Sequence, residues 1–341
     1  MFRPPVIALL CLLVWFAPTA AANAPPQSNQ QSSRQYFQKA IEDAQHEYDA
    51  GRYSRAVDTL TAAAAQSPGD AQLHFLLGQS YYQLREFSRA VTSLERSVQL
   101  APNRSEAHDW LGKAYGRRAE QSNFLSAFSW ARKTHKEFET AVRLDPSNFE
   151  AQRDLIRYEA YAPKIVGGGD DRALEHIEAL EKIDFVQGQL ARGEFLTIKK
   201  RLAEADAIFQ NLLQSNSSRI GVWLEVAEFF RDRQNSAKMR EALDLAARID
   251  GNDRRMKYYR GTLLVLEKSN PAEAEALLKS YLATVPNHSD LPPHSSTHEW
   301  LGKLYEGLER FSEAAAEYRA SLALDAGNKS VQDALKRVQN R

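Results

Sequence analysis

Two stretches of the sequence carry residue types at spacings that could do chemistry. The first is KIVGGGDDRA, Lys164 to Ala173, which places three consecutive glycines before a segment of helical periodicity. A glycine loop feeding a helix N-terminus can cradle a phosphate, because bare N–H groups and the positive end of the helix dipole face the anion. A P-loop, however, needs Lys and then Ser or Thr after its last glycine. Here Asp170 and Asp171 follow, and two carboxylates at that end repel an anion. The same residues make sense as a turn. Pro163 forces Ala162 out of helical geometry, the glycines permit positive φ, and Asp170 is placed to cap the next helix.

The second stretch holds His288, Asp290, His294 and His298, the densest set of potential metal ligands. A zinc site is not expected, because neither a cysteine nor a helical His pair supports it. Ser296 and Glu299 have capping-box spacing, and His298 takes a packing position that recurs at His74 and His108. The sequence holds no His-Glu-x-x-His, Gly-x-Ser-x-Gly or dinucleotide fingerprint. Its carboxylates are spread over helix surfaces, as with Glu317 near Arg319. No catalytic residue, cofactor or metal site is therefore expected, and the chain reads as a non-enzyme.

The elements around these residues repeat. HDWLGKAY (His108 to Tyr115), HEWLGKLY (His298 to Tyr305) and HFLLGQSY (His74 to Tyr81) share one frame, in which Leu-Gly is followed, after two more residues, by Tyr. Leu73, Leu77, Tyr81 and Leu84 recur at helical spacing, and Phe87, Val91, Leu94 and Val98 do so again. That is two amphipathic helices joined by a short turn. Neither helix can bury its stripe alone, so neighbouring pairs must stack.

With Ala90, Leu94 and Pro102 completing the pattern, the frame resembles the tetratricopeptide repeat, whose period is about 34 residues. Units start near Phe37, Ala71, Ser105, Phe149, Val186, Ile220, Arg254 and Ser295. A small Ala recurs at positions 56, 90, 173, 205, 274 and 314, and prolines close units at 68, 102, 146 and 286. Units five to seven match weakly, with Gly193, Trp223 and Gly261 as anchors. The resemblance implies an all-α, right-handed α-solenoid of about eight helix-turn-helix repeats over 37–328, with a capping helix over 329–341. Val331, Leu335 and Val338 supply the apolar face of that cap. Insertions fall near 121–132 and 163–169, and a loop from Asn287 to His294 contains Pro292-Pro293. YGRRAE, FETAVRLDP and YAPKIVGGG further resemble exported bacterial tetratricopeptide proteins of unassigned role.

Lys plus Arg and Asp plus Glu balance at 44 each, which argues against a nucleic-acid partner that needs a positive field. Arg3 followed by the apolar run Val6 to Ala17 reads as a signal peptide over 1–24, cleaved near Ala24, with a retained anchor as the alternative. Cys11, the only cysteine, would leave with it. Residues 25–36 read as a disordered leader. The expected location is periplasmic or secreted, with no transmembrane span in the mature chain and an envelope complex as one setting.

The resemblance places the inner groove on the first helix of each unit. Its outward positions here are Ile41, Gln45 and Tyr48, then Phe75, Gln79 and Tyr82, then Asp109, Lys113 and Arg117. An aromatic and amide-rich stretch leads into a basic one, which suits an extended or helical peptide with an acidic flank; the alternative is contact with neighbouring turns. Phe124 to Trp130 in the first insertion reads either as a docking knob or as packing on the inserted turn of the next unit. The expected function is a scaffold that binds a protein or peptide. The alternative is a small-molecule-binding or transporter-associated protein using a pocket near the insertions.

Overall fold

A computed structural model describes the backbone from Gln27 and the side chains from Gln35 onward, so the signal segment and Cys11 lie outside the described residues. The chain divides into two units at Lys39/Ala40; α1 begins in the first, and the cavities, ion pairs and contacts described below lie in the second, Ala40–Arg341.

The described residues form helical hairpins in the order the sequence frame requires. They are α1 (Gln27–Asp49) with α2 (Tyr53–Gln66), α3 (Ala71–Gln83) with α4 (Phe87–Leu100), α5 (Ser105–Glu120) with α6 (Phe124–Leu144), and α7 (Phe149–Tyr161) with α8 (Asp170–Ile183). Then come α9 (Phe185–Ile198) with α10 (Leu202–Leu213), α11 (Ile220–Asp232) with α12 (Ser236–Asp250), α13 (Met256–Glu267) with α14 (Pro271–Thr284), α15 (His294–Gly307) with α16 (Phe311–Leu324), and the cap α17 (Lys329–Gln339). No strand occurs among the described residues. Consecutive helices pack on one another, as in an all-α solenoid. Backbone helix already begins at Gln27, inside the stretch read as an unstructured leader.

Side-chain volume explains the Leu-Gly signature. A methyl on Gly78 would lie 2.4 Å from Leu94, one on Gly112 2.6 Å from Phe138, one on Gly193 2.6 Å from Phe209, and one on Gly302 2.4 Å from Tyr318. In these units the first helix thus gives up a side chain so that a large residue of the second helix can seat against its backbone. Ala56, Ala90, Ala173, Ala205, Ala274 and Ala314 are fully buried and allow the return approach. Helix starts are fixed locally. Asp70 accepts from the N–H groups of Gln72 and Leu73, Asn148 from that of Ala151, and Asn328 from that of Val331.

Two local expectations are corrected. Asp170 is the first residue of α8 and makes no cap; the N-cap is Gly169, at φ 144°, and Asp170 pairs instead with Lys199 at 2.6 Å. Ser296 and Glu299 form no capping box, because α15 already starts at His294 after Pro293. Ser296 Oγ bonds Tyr258 Oη at 2.7 Å, and Glu299 pairs with Lys303.

The insertions are accommodated differently from one another. The extra residues of the third unit become helix and lengthen α6 at its N-terminal end, where Phe124 and Leu125 are 75% and 81% exposed. Those of the fourth make a one-turn 3-10 helix, Lys164–Val166, and the triple glycine. Gly167 has φ 102°, and a Cβ on Gly168 would sit 1.8 Å from the Ala162 carbonyl oxygen, so both positions demand glycine. The turn docks on α6 through Tyr158, whose single hydroxyl proton is shared between the carbonyls of Ala131 at 2.7 Å and Val166 at 2.8 Å.

Candidate functional site

The first helices of the units line two adjoining cavities. One, of about 580 Å³, is walled by Gln45, Tyr48, Phe75, Gln79, Trp110 and Phe149, with Asp109 and Glu150. The other, of about 740 Å³, is walled by Tyr82, Lys113, Arg153, Asp154, Glu225 and Tyr259, and by the segment Ser289 to Pro293. Asp290 and Glu150 border both. The sequence-derived candidates therefore separate. Tyr48, Phe75 and Gln79 line the smaller cavity and Tyr82 and Lys113 the larger, while Ile41 and Arg117 line neither.

The aromatic wall is preassembled. Tyr82 meets Trp110 edge-on, with centroids 5.4 Å apart at 90°, and meets Phe87 at 5.3 Å. Arg104 lies 3.9 Å over Phe75, and Lys113 lies 4.9 Å from the Trp110 ring. Such contacts fix rotamers in advance, which lowers the entropy a ligand must supply on binding.

The stretch read as basic is electrically closed. Lys113 Nζ lies 2.9 Å from Asp109, 2.6 Å from Glu150 and 3.1 Å from Asp154, so it presents no surplus positive charge. Arg117 pairs with Glu120 at 2.5 Å and covers Phe87. An ion-pair ladder continues inward. Arg157 joins Asp154 and Glu194, each at 2.6 Å, and Arg153 joins Glu194 at 3.0 Å and Glu225 at 2.6 Å. The ladder stitches α5, α7, α9 and α11 together. Continuing the groove frame from Asp109 and Lys113 by one unit reaches Arg153 and Arg157, so that much was within reach of the sequence. Their partners were not, because inter-unit register decides them.

Asp109 and its surroundings carry the strongest electrostatic tension. Burial pushes its carboxyl up to about 7, with Asp154 and Glu150 adding to the rise and Lys113 opposing it. Burial also opposes charge on Lys113, yet Asp154, Asp109 and Glu150 outweigh it and hold the ammonium well above its usual range. Asp109 Oδ1 has no hydrogen-bond partner, and Asp154 Oδ2, though close to Lys113, lacks hydrogen-bond geometry. Asp109, Glu150 and Asp154 form the one grouping among the described residues whose oxygens, all within 4.8 Å, could surround a metal ion. The Lys113 ammonium already supplies a cation to all three.

The histidines fall into separate roles. His108 Nδ1 pairs with Glu137 and His298 Nδ1 with Glu317, both at 2.6 Å, which makes them equivalent staples in two units. His294 Nε2 meets the Val285 carbonyl, and His288 packs against the Tyr48–Tyr53 pair. Trp130 packs on Tyr115 of its own unit, with centroids 5.4 Å apart, flanked by Arg118 and Lys133. Further along the same helix, His135 lies against Gly167 of the inserted turn, and the Ala131 carbonyl accepts from Tyr158 of the next unit. Sequence reasoning also missed the Ser289 to Pro293 wall, for which no local signal exists. A third cavity, of about 390 Å³, lies between units three and four beside Gly116, Tyr158 and Tyr161.

The family model of the tetratricopeptide repeat matches residues 31–105 and 263–329. No curated protein matches the sequence. Among solved structures, the chain is similar to a tetratricopeptide repeat protein from Parabacteroides merdae, with 14% identity over 89% of this chain and 99% of that one at a TM-score of 0.45. It is also similar to a thermophilic protein of this type from Thermus thermophilus, with 17% identity over 57% and 98% at 0.46. A third is the C-terminal part of a repeat-containing protein from Cytophaga hutchinsonii, with 16% identity over 86% and 99% at 0.41. Residues 31–105 and 263–329 thus carry tetratricopeptide repeats, and the helical hairpins between them have the same construction; tetratricopeptide repeat proteins are generally protein-interaction scaffolds.

Proposed function

We propose that this protein is an exported, non-catalytic scaffold that holds an extended segment of a protein partner against the inner face of its first four units. The observation that carries this reading is the pair of adjoining cavities walled by Tyr48, Phe75, Gln79, Tyr82 and Trp110. Their aromatic rims are rotamerically fixed, while the acids and bases deeper in are committed to one another in the ladder. A surface of that kind binds through shape and a few aromatic anchors. Export is supported by the charged, apolar and small-residue segments of residues 1–24. Among the described residues no helix is long and apolar enough to cross a membrane.

The test is crosslinking in the bacterial envelope fraction with wild type and with Gln79→Trp, which fills the smaller cavity from a half-buried position. Loss of a crosslinked protein with an unchanged melting curve supports the reading. Undiminished capture, or recovery of a small molecule with no protein partner, overturns it. The third cavity favours a second reading, a small-molecule site beside the insertions, because its volume falls in the range such ligands use. Native mass spectrometry of the protein purified from that fraction would reveal such a ligand.

A further inference from the structure

The loop between α14 and α15 does more than connect two helices. It crosses to the first two units, and its hydrogen bonds there join residues as far as 234 positions apart in sequence. Tyr53 Oη donates to the Asn287 carbonyl at 2.9 Å. The Gln83 amide reads Ser289 twice, its Nε2 donating to Oγ at 2.9 Å and its Oε1 accepting from the main-chain N–H at 3.1 Å. Between these two anchors the His288 ring stands edge-on to Tyr48, with centroids 5.1 Å apart at 86°, and lies 6.2 Å from Tyr53. Pro286 closes against Gly51, where a Cβ would come within 2.5 Å of the proline.

The segment runs without regular structure through His288 and then turns at Ser289 and Asp290, where the Leu291 N–H donates to the His288 carbonyl at 3.1 Å, so it is seated as a peptide that ends in a tight turn would be. Gln83 Nε2 also lies 3.4 Å from His288 Nε2, and two of the four hydrogen bonds go to main-chain atoms, so those two are available to any segment of the same path whatever its side chains. Selectivity comes from the Tyr48–Tyr53 pair, whose rings meet at 5.4 Å and together form a corner against which a flat ring packs. We propose that Pro286–Pro293 occupies in cis a peptide-binding surface on the first two units. The partner that displaces it is a peptide segment carrying an imidazole or aromatic ring immediately before a tight turn, between two backbone-bonded residues. The proposal rests on the reading of the inner face as a protein-binding surface and adds the chemistry of the ligand. Asp290 borders both cavities, so departure of the strap would also change their shared rim.

The strap is tethered at both ends, which gives it a millimolar-scale effective concentration against any free competitor. A free peptide must therefore bind the intact chain far more weakly than a chain whose strap cannot dock. The experiment uses the full chain with Asn287→Gly, His288→Ser, Ser289→Gly and Asp290→Ser combined, and a labelled synthetic peptide of the Pro286–Pro293 sequence, read by fluorescence anisotropy. The expected result is binding at least about tenfold tighter to the variant than to wild type, lost when the peptide carries Ala in place of His288. Binding to neither chain, equal binding to both, or binding indifferent to the ring overturns the proposal. Should the combined variant fail to fold by circular dichroism, His288→Ala alone weakens the strap while leaving its backbone contacts, and it too must bind the peptide more tightly than wild type. If the peptide binds neither chain while Gln79→Trp still abolishes partner capture, the cis-ligand idea falls and the scaffold reading stands. If both fail, the inner face is not a protein-binding surface.

Discussion

Asp109 offers the sharpest quantitative test of the inner-face electrostatics. Its carboxyl is held at about 7, against 3.8 for the unperturbed group, chiefly by burial. The folded chain therefore keeps a proton there that the unfolded chain gives up. Stability falls as pH rises from the lower value through the higher one. The difference corresponds to a cost on the order of 4 kcal/mol for holding Asp109 ionised at alkaline pH. Asp109→Asn keeps the shape and removes that cost. Urea unfolding of both proteins at about pH 5 and about pH 8.5 isolates the effect, since every other titrating group is common to both. The substitution should stabilise at both points, by roughly 2–3 kcal/mol more at the alkaline one, because the unfolded carboxyl is already ionised at about pH 5. If Asn destabilises more at high pH than at low, then the pairing with Lys113 outweighs burial, and the account of Asp109 given above is wrong.

The other predictions concern the packing and the staples. Gly112→Ala drives a methyl to within 2.6 Å of the buried Phe138 ring, and the chain should lose about 1–3 kcal/mol in chemical denaturation. Glu137→Gln removes the partner of His108. Burial opposes charge on that imidazole, but the Glu137 hydrogen bond prevails and its pKa is raised. Stability from such a group is fully present below the unfolded value and is lost as pH rises through the folded one. The substitution should thus cost about 1–2 kcal/mol near pH 5.5 and less near pH 8.5, read by paired melts. Trp130→Ala should cost about 1–3 kcal/mol, because the ring packs on Tyr115; unchanged stability would return Trp130 to the exposed docking role.

The repeat frame was legible because it is local. The Leu-Gly pairs, the buried alanines and the closing prolines each answer to a contact inside one hairpin, so unit starts read from Ala71, Ser105, Phe149 and Ile220 coincide with helix starts. Cap assignments were less secure. A Ser-x-x-Glu or an Asp after glycine has the right spacing in many registers, and Pro293 and Gly169 took the cap positions instead. The charge of the inner face was misread for a different reason. Lys113 and Arg117 are visible as cations, but neutralisation of Lys113 by Glu150 and Asp154 depends on how α7 stacks on α5. The strap was beyond reach altogether. Nothing near Asn287 or Ser289 in sequence signals Tyr53 or Gln83.

A stack of hairpins in which each unit touches only its neighbours behaves as a one-dimensional array, and its ends can fray without consulting the middle. The bonds from Tyr53 and Gln83 to the loop after α14 break that independence. Melting the first hairpin must also release a segment six units further along, so loss of structure at one terminus is felt near the other. Local opening energies along the second compact unit should then be more uniform than in an untied array. Hydrogen exchange would show that levelling as protection in α1 to α4 comparable with that in α13 and α14, and the levelling would disappear once the loop is detached.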